Sequence, residues 1–254
     1  MTRDEEILTR SNEFREEYVA NTPSWYRGEY HLAFTVVFTV AVLVNSLMRI
    51  HDATTAEWLM VIPMFLFGNW AEWAGHRYWL HRPSKYMKNA YKRHVSVHHQ
   101  FFSNKTLHYD GQRDWRALLF PPFAPVLFVF SALPIALGAN LLWSANAGHI
   151  VMVTIAGYYM MYESLHTLSH IENSPFLDSL PLVNSVRRMH VMHHNPDFMG
   201  TRNFNLTFPI CDALFGTSDL DRGLWGTLFN GMSNGAMRAE DLARLKSQFV
   251  ERQR

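Results

Sequence analysis

Ten of the 14 histidines in this 254-residue chain fall into four short clusters. HRYWLH holds His76 and His81; HVSVHH holds His94, His98 and His99; HTLSH holds His166 and His170; HVMHH holds His190, His193 and His194. Histidine is the commonest metal ligand, binding through a neutral ring nitrogen, and imidazole suits iron, zinc, copper and nickel. Pairs spaced four apart, at 94/98, 166/170 and 190/194, project from one face of a helix about a turn apart. An adjoining histidine widens that face, so one helix can serve two neighbouring metals. Ten imidazoles exceed the roughly four to six positions of a single ion, so the set implies two ions. His31, His51 and His149 read as interfacial or loop residues without chemistry, and His108 is left open. A closed structural zinc site would need only four ligands, usually with cysteine, and the chain has one cysteine. A metal transporter would instead place its ligands within the spans, near the midplane.

The elements that position these clusters are visible as stretches without charge. Between Arg116 and Glu163 lie 46 residues lacking any Asp, Glu, Lys or Arg. That is too long for one helix across a hydrocarbon core about 30 Å thick and the right length for two, with a turn in the Gly- and Asn-rich stretch 138–148. A second run, YHLAFTVVFTVAVLVNSLM at 30–48, shows no polar alternation and reads as a span. A third, WLMVIPMFLFGNWA at 58–71, is short for a span, but its place between two short connections makes it the hairpin partner of the first.

The basic residues orient this layout. Four Lys/Arg lie in 1–30, only Arg49 in the first connection, nine in 77–116, none in the 138–148 turn and nine in 187–254. Positive charge collects on the cytoplasmic side, which puts both termini and all four histidine clusters there. The first 30 residues carry acidic pairs and no apolar core, so they read as a cytoplasmic or interfacial helix and not a signal peptide, with Trp25 and Tyr26 near the headgroups. The expected organisation is an N-terminal segment 1–30, a membrane-embedded domain 31–222 and a cytoplasmic tail 223–254. The fold class is all-α, an integral membrane protein of about four transmembrane helices with a cytoplasmic helical cap carrying a His-rich dimetal site. The competing reading is a soluble helical protein with unusually apolar core helices. A net charge of +1 argues against a nucleic-acid partner, and the single cysteine excludes a disulfide framework and a Cys-based metal site.

The boxes HRYWLH, KRHVSVHHQFF, HTLSH and HVMHHNPDFMGTRNF resemble the histidine boxes of the fatty acid hydroxylase/sterol desaturase superfamily, membrane-bound di-iron enzymes. DWRALLFPP at 114–122 and LTFPICDALFGT at 206–217 are similar to stretches that follow the second and last boxes in fatty-acid 2-hydroxylases, so the likeness covers about 57–222 and is closest to 2-hydroxylase-like members. The second box is HX3HH, where many members carry HX2HH. The separate HX3H pair at 166/170 sets the chain apart from three-box acyl desaturases.

The resemblance implies that His76, His81, His94, His98, His99, His166, His170, His190, His193 and His194 ligate two iron ions, with zinc a possible substitute after purification. It implies dioxygen as co-substrate and hydroxylation of a C–H bond of a fatty-acyl, sphingoid or sterol-type lipid. Some fatty-acid 2-hydroxylases carry a fused cytochrome b5-like domain that these 254 residues do not resemble, so the expected electron donor is a separate protein, cytochrome b5-like or a ferredoxin with its reductase. Glu72, Asp110, Asp114 and Glu163 are candidates to orient the ligating rings from outside. Desaturation or sterol methyl oxidation on the same core remains open, as does a membrane metal-binding or transport protein without redox chemistry.

Overall fold

The computed structural model describes the backbone of residues 1–251 and the side chains of residues 1–247. It is 65% helix, and no strand forms among the described residues. In chain order the helices are α1 (Arg3–Ala20), α2 (Gly28–Leu47), α3 (Thr55–Leu59), α4 (Val61–Gly75), α5 (Lys88–Arg93), α6 (His99–Phe101), α7 (Trp115–Leu118), α8 (Ala124–Leu142), α9 (Ala145–Ser169), α10 (Pro175–Ser179), α11 (Val183–His193), α12 (Ile210–Leu214), α13 (Gly223–Leu228) and α14 (Ala239–Glu251). Two π-helical turns interrupt the series, π1 (His76–Leu80) after α4 and π2 (His94–His98) between α5 and α6.

The chain divides into two compact units. One comprises Arg27–Ala71 and Leu119–Ser164, which takes in α2, α3, α8 and most of α4 and α9. Its core is Met64, Ala132, Ala136, Val151 and Met152. Small residues allow close approach: a Cβ on Gly148 would come within 2.8 Å of the Ala136 carbonyl oxygen, and one on Gly68 within 3.0 Å of the Tyr158 ring. At one end, Glu57 closes a capping box with Thr54 and accepts from the Ser144 hydroxyl, while Asn146 exchanges two bonds with the His51 backbone.

The pattern of burial on α2 inverts that of a helix in water. Its buried residues are Gly28, His31, Thr35, Thr39 and Ser46, and its outward face shows Val36, Val37, Val40, Val44 and Leu47. Inward polarity is satisfied locally, by a 2.7 Å bond from the Thr39 hydroxyl to the Thr35 carbonyl and a 2.8 Å bond between His31 Nε2 and the Phe120 carbonyl. On α8 the buried residues are Ala124, Pro125, Ala132 and Ala136, whereas Leu127, Phe130, Leu137 and Leu142 face out. Small and polar residues inside with branched apolar residues outside is the arrangement a lipid solvent favours. By length and composition α2 and α8 each suffice to cross a membrane. The other two expected spans differ. α4 has only 15 residues, though helix continues from Thr55 to Leu80 with a break at Met60, and the 25-residue α9 carries Glu163, His166 and other polar groups.

The second unit comprises Met1–Tyr26, Glu72–Leu118 and the chain from Leu165 onward. All ten clustered histidines belong to it. α1 starts with a Thr2/Glu5 capping box and packs against α6, where the Ser11 hydroxyl donates to the Gln100 carbonyl at 2.8 Å. Arg15, 8% exposed, donates to Thr106 and Asp110 at 2.8 Å and stacks 5.0 Å over Phe101. Phe101, Phe102, Leu107, Ala117 and Leu118 form the core beneath it. Of the two aromatics expected near headgroups, Trp25 is exposed and Tyr26 is buried.

Candidate metal centre

The four clusters meet. His76, His81, His94, His99 and His193 bring their ring nitrogens within 4.8 Å of one another, and His98, His166, His170 and His190 form a second such group. His194 Nε2 joins the second, 3.2 Å from His98 Nε2 and 3.1 Å from His190 Nε2. Each group therefore draws on several helices: α11 supplies both, and the segment from π2 into α6 supplies both.

Helix type decides which histidine serves which group. In π1 the backbone bond runs from His81 N–H to the His76 carbonyl, and in π2 from His99 N–H to His94. This wider turn brings residues five apart onto one face, where an α-helix does so for residues four apart. Hence His76 pairs with His81 and His94 with His99, all in the first group. His98 passes to the second group while its ring still stacks 5.4 Å from that of His94, so one short segment serves both groups, as its adjoining histidines led one to expect. The pairs 166/170 and 190/194 straddle the C-terminal ends of α9 and α11 and stay together in the second group.

The facing nitrogens are all Nε2. His76 to His94 is 2.9 Å, His81 to His193 2.9 Å, His94 to His99 3.1 Å, His170 to His190 2.9 Å and His98 to His166 3.3 Å. On five rings Nδ1 donates to a backbone carbonyl: His76 to Phe204 (2.6 Å), His98 to Ala117 (3.1 Å), His170 to Leu107 (2.8 Å), His193 to Arg202 (2.9 Å) and His194 to Phe102 (2.6 Å). A carbonyl can only accept, so those rings carry their proton on Nδ1 and turn an unprotonated Nε2 toward its neighbours. Lone pairs crowded this way repel unless a cation lies among them. Two nitrogens at right angles on an ion about 2.1 Å away sit about 3.0 Å apart, which matches the observed spacings. The donor set and its geometry thus fit a metal in each group.

Electrostatics favour the metal-binding form. Burial pushes the imidazole pKa down, to about 4 at His193 and about 3 at His98, in each case against a partly compensating bond to a carbonyl. At His94, His99 and His190 burial likewise holds it well below the usual imidazole value, reinforced by neighbouring imidazoles. All five are neutral at physiological pH, the state in which imidazole coordinates.

Five of the rings are oriented by main-chain carbonyls, and the four carboxylates expected to orient rings make the following bonds. Glu72 accepts from the Leu206 N–H, and from the Thr207 N–H (3.1 Å) and hydroxyl (2.6 Å). Asp114 accepts from Asp110 N–H at 2.8 Å and pairs, like Asp110, with Arg15. Glu163 accepts from the Tyr159 hydroxyl at 2.8 Å and the Phe120 N–H at 3.3 Å. A backbone carbonyl brought close by tertiary folding leaves no mark in sequence, whereas an acid near a histidine does. His108 lies outside both groups, between Glu172 (3.2 Å) and Asp110 (3.3 Å).

One residue that sequence reading missed joins the histidine-bearing helices. Arg187 on α11, 5% exposed, donates at 2.6 Å to the carbonyls of Leu168 and Ile171 at the end of α9. A guanidinium there satisfies terminal carbonyls and the helix dipole together. The doublet Arg187–Arg188, separated from HVMHH by Met189 alone, is its only sequence signal.

Helical architecture with two buried, convergent sets of imidazoles defines a histidine-rich metal-binding protein that also carries long apolar helices. The fatty acid hydroxylase family profile matches residues 60–217, a stretch that contains all ten clustered histidines, and the chain belongs to that family. The family is membrane-associated and typically iron-dependent, and membership implies an oxidoreductase. No curated protein and no solved structure matches the chain.

Proposed function

We propose that this protein is an oxygen-dependent membrane-lipid hydroxylase in which the ten clustered histidines hold two iron ions. The observation that carries the reading is the convergence of Nε2 atoms at 2.9–3.3 Å in two groups, five of them left unprotonated by an Nδ1 bond to a carbonyl, within a fatty acid hydroxylase family member. Bound iron supplies activation of dioxygen with externally donated electrons, leading to insertion of oxygen into an unactivated C–H bond. The chain's own part is to keep ten imidazoles neutral, present their Nε2 atoms, and bury the groups so that bulk water is kept away. A fatty-acyl, sphingoid or sterol-type substrate fits a chain whose α2 and α8 turn apolar faces outward. The likeness of 114–122 and 206–217 to 2-hydroxylases favours that subtype.

The proposed topology has four spans, formed by α2, the α3–α4 pair, α8 and α9, within the membrane domain 31–222. Lys/Arg distribution supports a cytoplasmic location for both termini and the histidines. Electrons come from a separate cytochrome b5-like protein or a ferredoxin with its reductase. Lipid mass spectrometry of cells with and without the gene tests the reaction. Hydroxylation predicts a lipid gaining one oxygen atom, lost again in His193→Ala. Loss of two hydrogens would reassign the chain to desaturation, and an unchanged lipid profile would sink the proposal. Purified protein should contain about two iron ions per chain; zinc in their place points to substitution at nitrogen ligands.

A further inference from the structure

Two first-group histidines lean on one short loop. Arg202 and Phe204 offer their carbonyls to His193 and His76, and Asn203 between them adopts φ +57°, a left-handed conformation that asparagine tolerates far better than most residues. Asn203 is fully buried and bonded on every side. Its Nδ2 donates to Met189 O at 3.2 Å and Asp219 Oδ1 at 2.9 Å, its Oδ1 accepts from Asp219 N–H at 3.1 Å, and its own N–H donates to Thr217 O at 2.9 Å. Asp219 in turn pairs with buried Arg188 of α11 at 2.7 Å.

The next residues are gripped by Asp212, also fully buried. It accepts from Phe204 N–H at 3.0 Å, Asn205 N–H at 2.7 Å and the Thr217 hydroxyl at 2.6 Å, while Asn205 Oδ1 accepts from Asp212 N–H at 3.1 Å. The Thr217 hydroxyl also accepts from Trp73 Nε1 at 2.9 Å, which ties the loop back to α4. Burying a carboxylate is costly unless several donors satisfy it, and here three do. The network meets α11 at Met189 and Arg188, but the carbonyls that hold second-group rings, those of Ala117, Leu107 and Phe102, lie outside the 202–205 turn.

We infer that Asn203 and Asp212 are positioning residues for the five-histidine group alone: they hold the 202–205 turn so that its two carbonyls set the tautomer and direction of His193 and His76. This rests on reading that group as a metal site. A held imidazole is a better and better-aimed ligand, and loss of such outer support costs about 10–100-fold in metal affinity. Because the network serves one group, the loss falls on one ion.

Anaerobic titration of the metal-free, full-length protein in detergent with cobalt(II) tests this, read as the absorbance of each bound equivalent, with circular dichroism to verify helix content. Asn203→Ala, Asp212→Asn and the milder Thr217→Val should each weaken one of two equivalents by about 10–100-fold and leave the other as in wild type. Thr217→Ser, which keeps the hydroxyl, should restore wild-type binding. Unchanged binding in all three variants, or equal weakening of both equivalents in folded Thr217→Val, overturns the inference. A wild-type chain that binds no cobalt overturns the metal-site reading along with it.

Discussion

At the scale of single residues, the site works by making imidazole neutral and aiming it. Burial accomplishes the first, main-chain carbonyls the second. The same burial sets a pH dependence for the metal-free protein. An unfolded histidine takes up its proton near pH 6.5, whereas His193 and His98 resist until about 4 and about 3. Between those limits the unfolded chain binds more protons than the folded one, so stability present above pH 6.5 is lost as the pH falls toward 4. Each such group contributes about 1.4 kcal/mol per pH unit within its window. Thermal unfolding of metal-free protein from pH 8 to 4.5 should show a fall in midpoint beginning near 6.5; a flat profile would mean the rings are not buried as neutral groups. Asp212 has the opposite sign: burial raises its carboxyl pKa to about 6, so its contribution is largest in acid and declines as pH rises through 6.

At the scale of elements, the π-helical turns explain why the second box has an extra residue. HX2HH on an α-helix puts its first and last histidines four apart, one turn; HX3HH puts them five apart, which is one turn only in a π-helix. π2 thus absorbs a one-residue difference while keeping His94 and His99 together. Deleting Ser96 should convert the box to HX2HH and retain at least half of the bound metal. Deleting Val191, within α11 where 190/194 pair by α-helical spacing, should abolish binding at the second group. Metal content per chain after purification compares the two; equal loss would show that the π turn is not a tolerated insertion. The spacing rule that set 94 and 98 one turn apart assumed an α-helix. Periodicity says that residues share a face only once the helix type is known.

At the scale of the molecule, the membrane reading rests on an inverted solvent pattern. Val37 lies at the middle of α2 and is 65% exposed, with polar Thr35 and Thr39 turned inward. Arginine at a span centre costs about 2.5–3.5 kcal/mol on insertion scales, so Val37→Arg should reduce insertion of α2 severalfold or more in a glycosylation-reporter assay. Thr35→Val should leave insertion intact while weakening the unit's packing. A soluble protein would show the reverse, tolerating arginine on an outward face. Orientation has its own check with a membrane-impermeant thiol reagent on whole cells. Cysteine at exposed Ala145 should label, and cysteine at exposed Lys85 should label only after permeabilisation. Labelling of both from one side would contradict the proposed topology.

What was legible from the amino-acid order alone was the inventory: ten histidines apart from His31, His51, His108 and His149, the apolar runs, the charge asymmetry and the family likeness. These are local or compositional properties, and hydropathy and residue chemistry act without regard to distant partners. The chain could not reveal how ten histidines divide into two groups, because that division depends on where π turns replace α-helix. Nor could it reveal what orients the rings. Every residue carries a carbonyl, so the choice of Phe204, Arg202, Ala117, Leu107 and Phe102 is decided only when the folded chain brings those five within reach of a histidine. Carboxylates near the clusters drew attention because they are distinctive in sequence, but burying a full charge beside a ligand is costly, and a main-chain dipole performs the same orientation at lower desolvation cost.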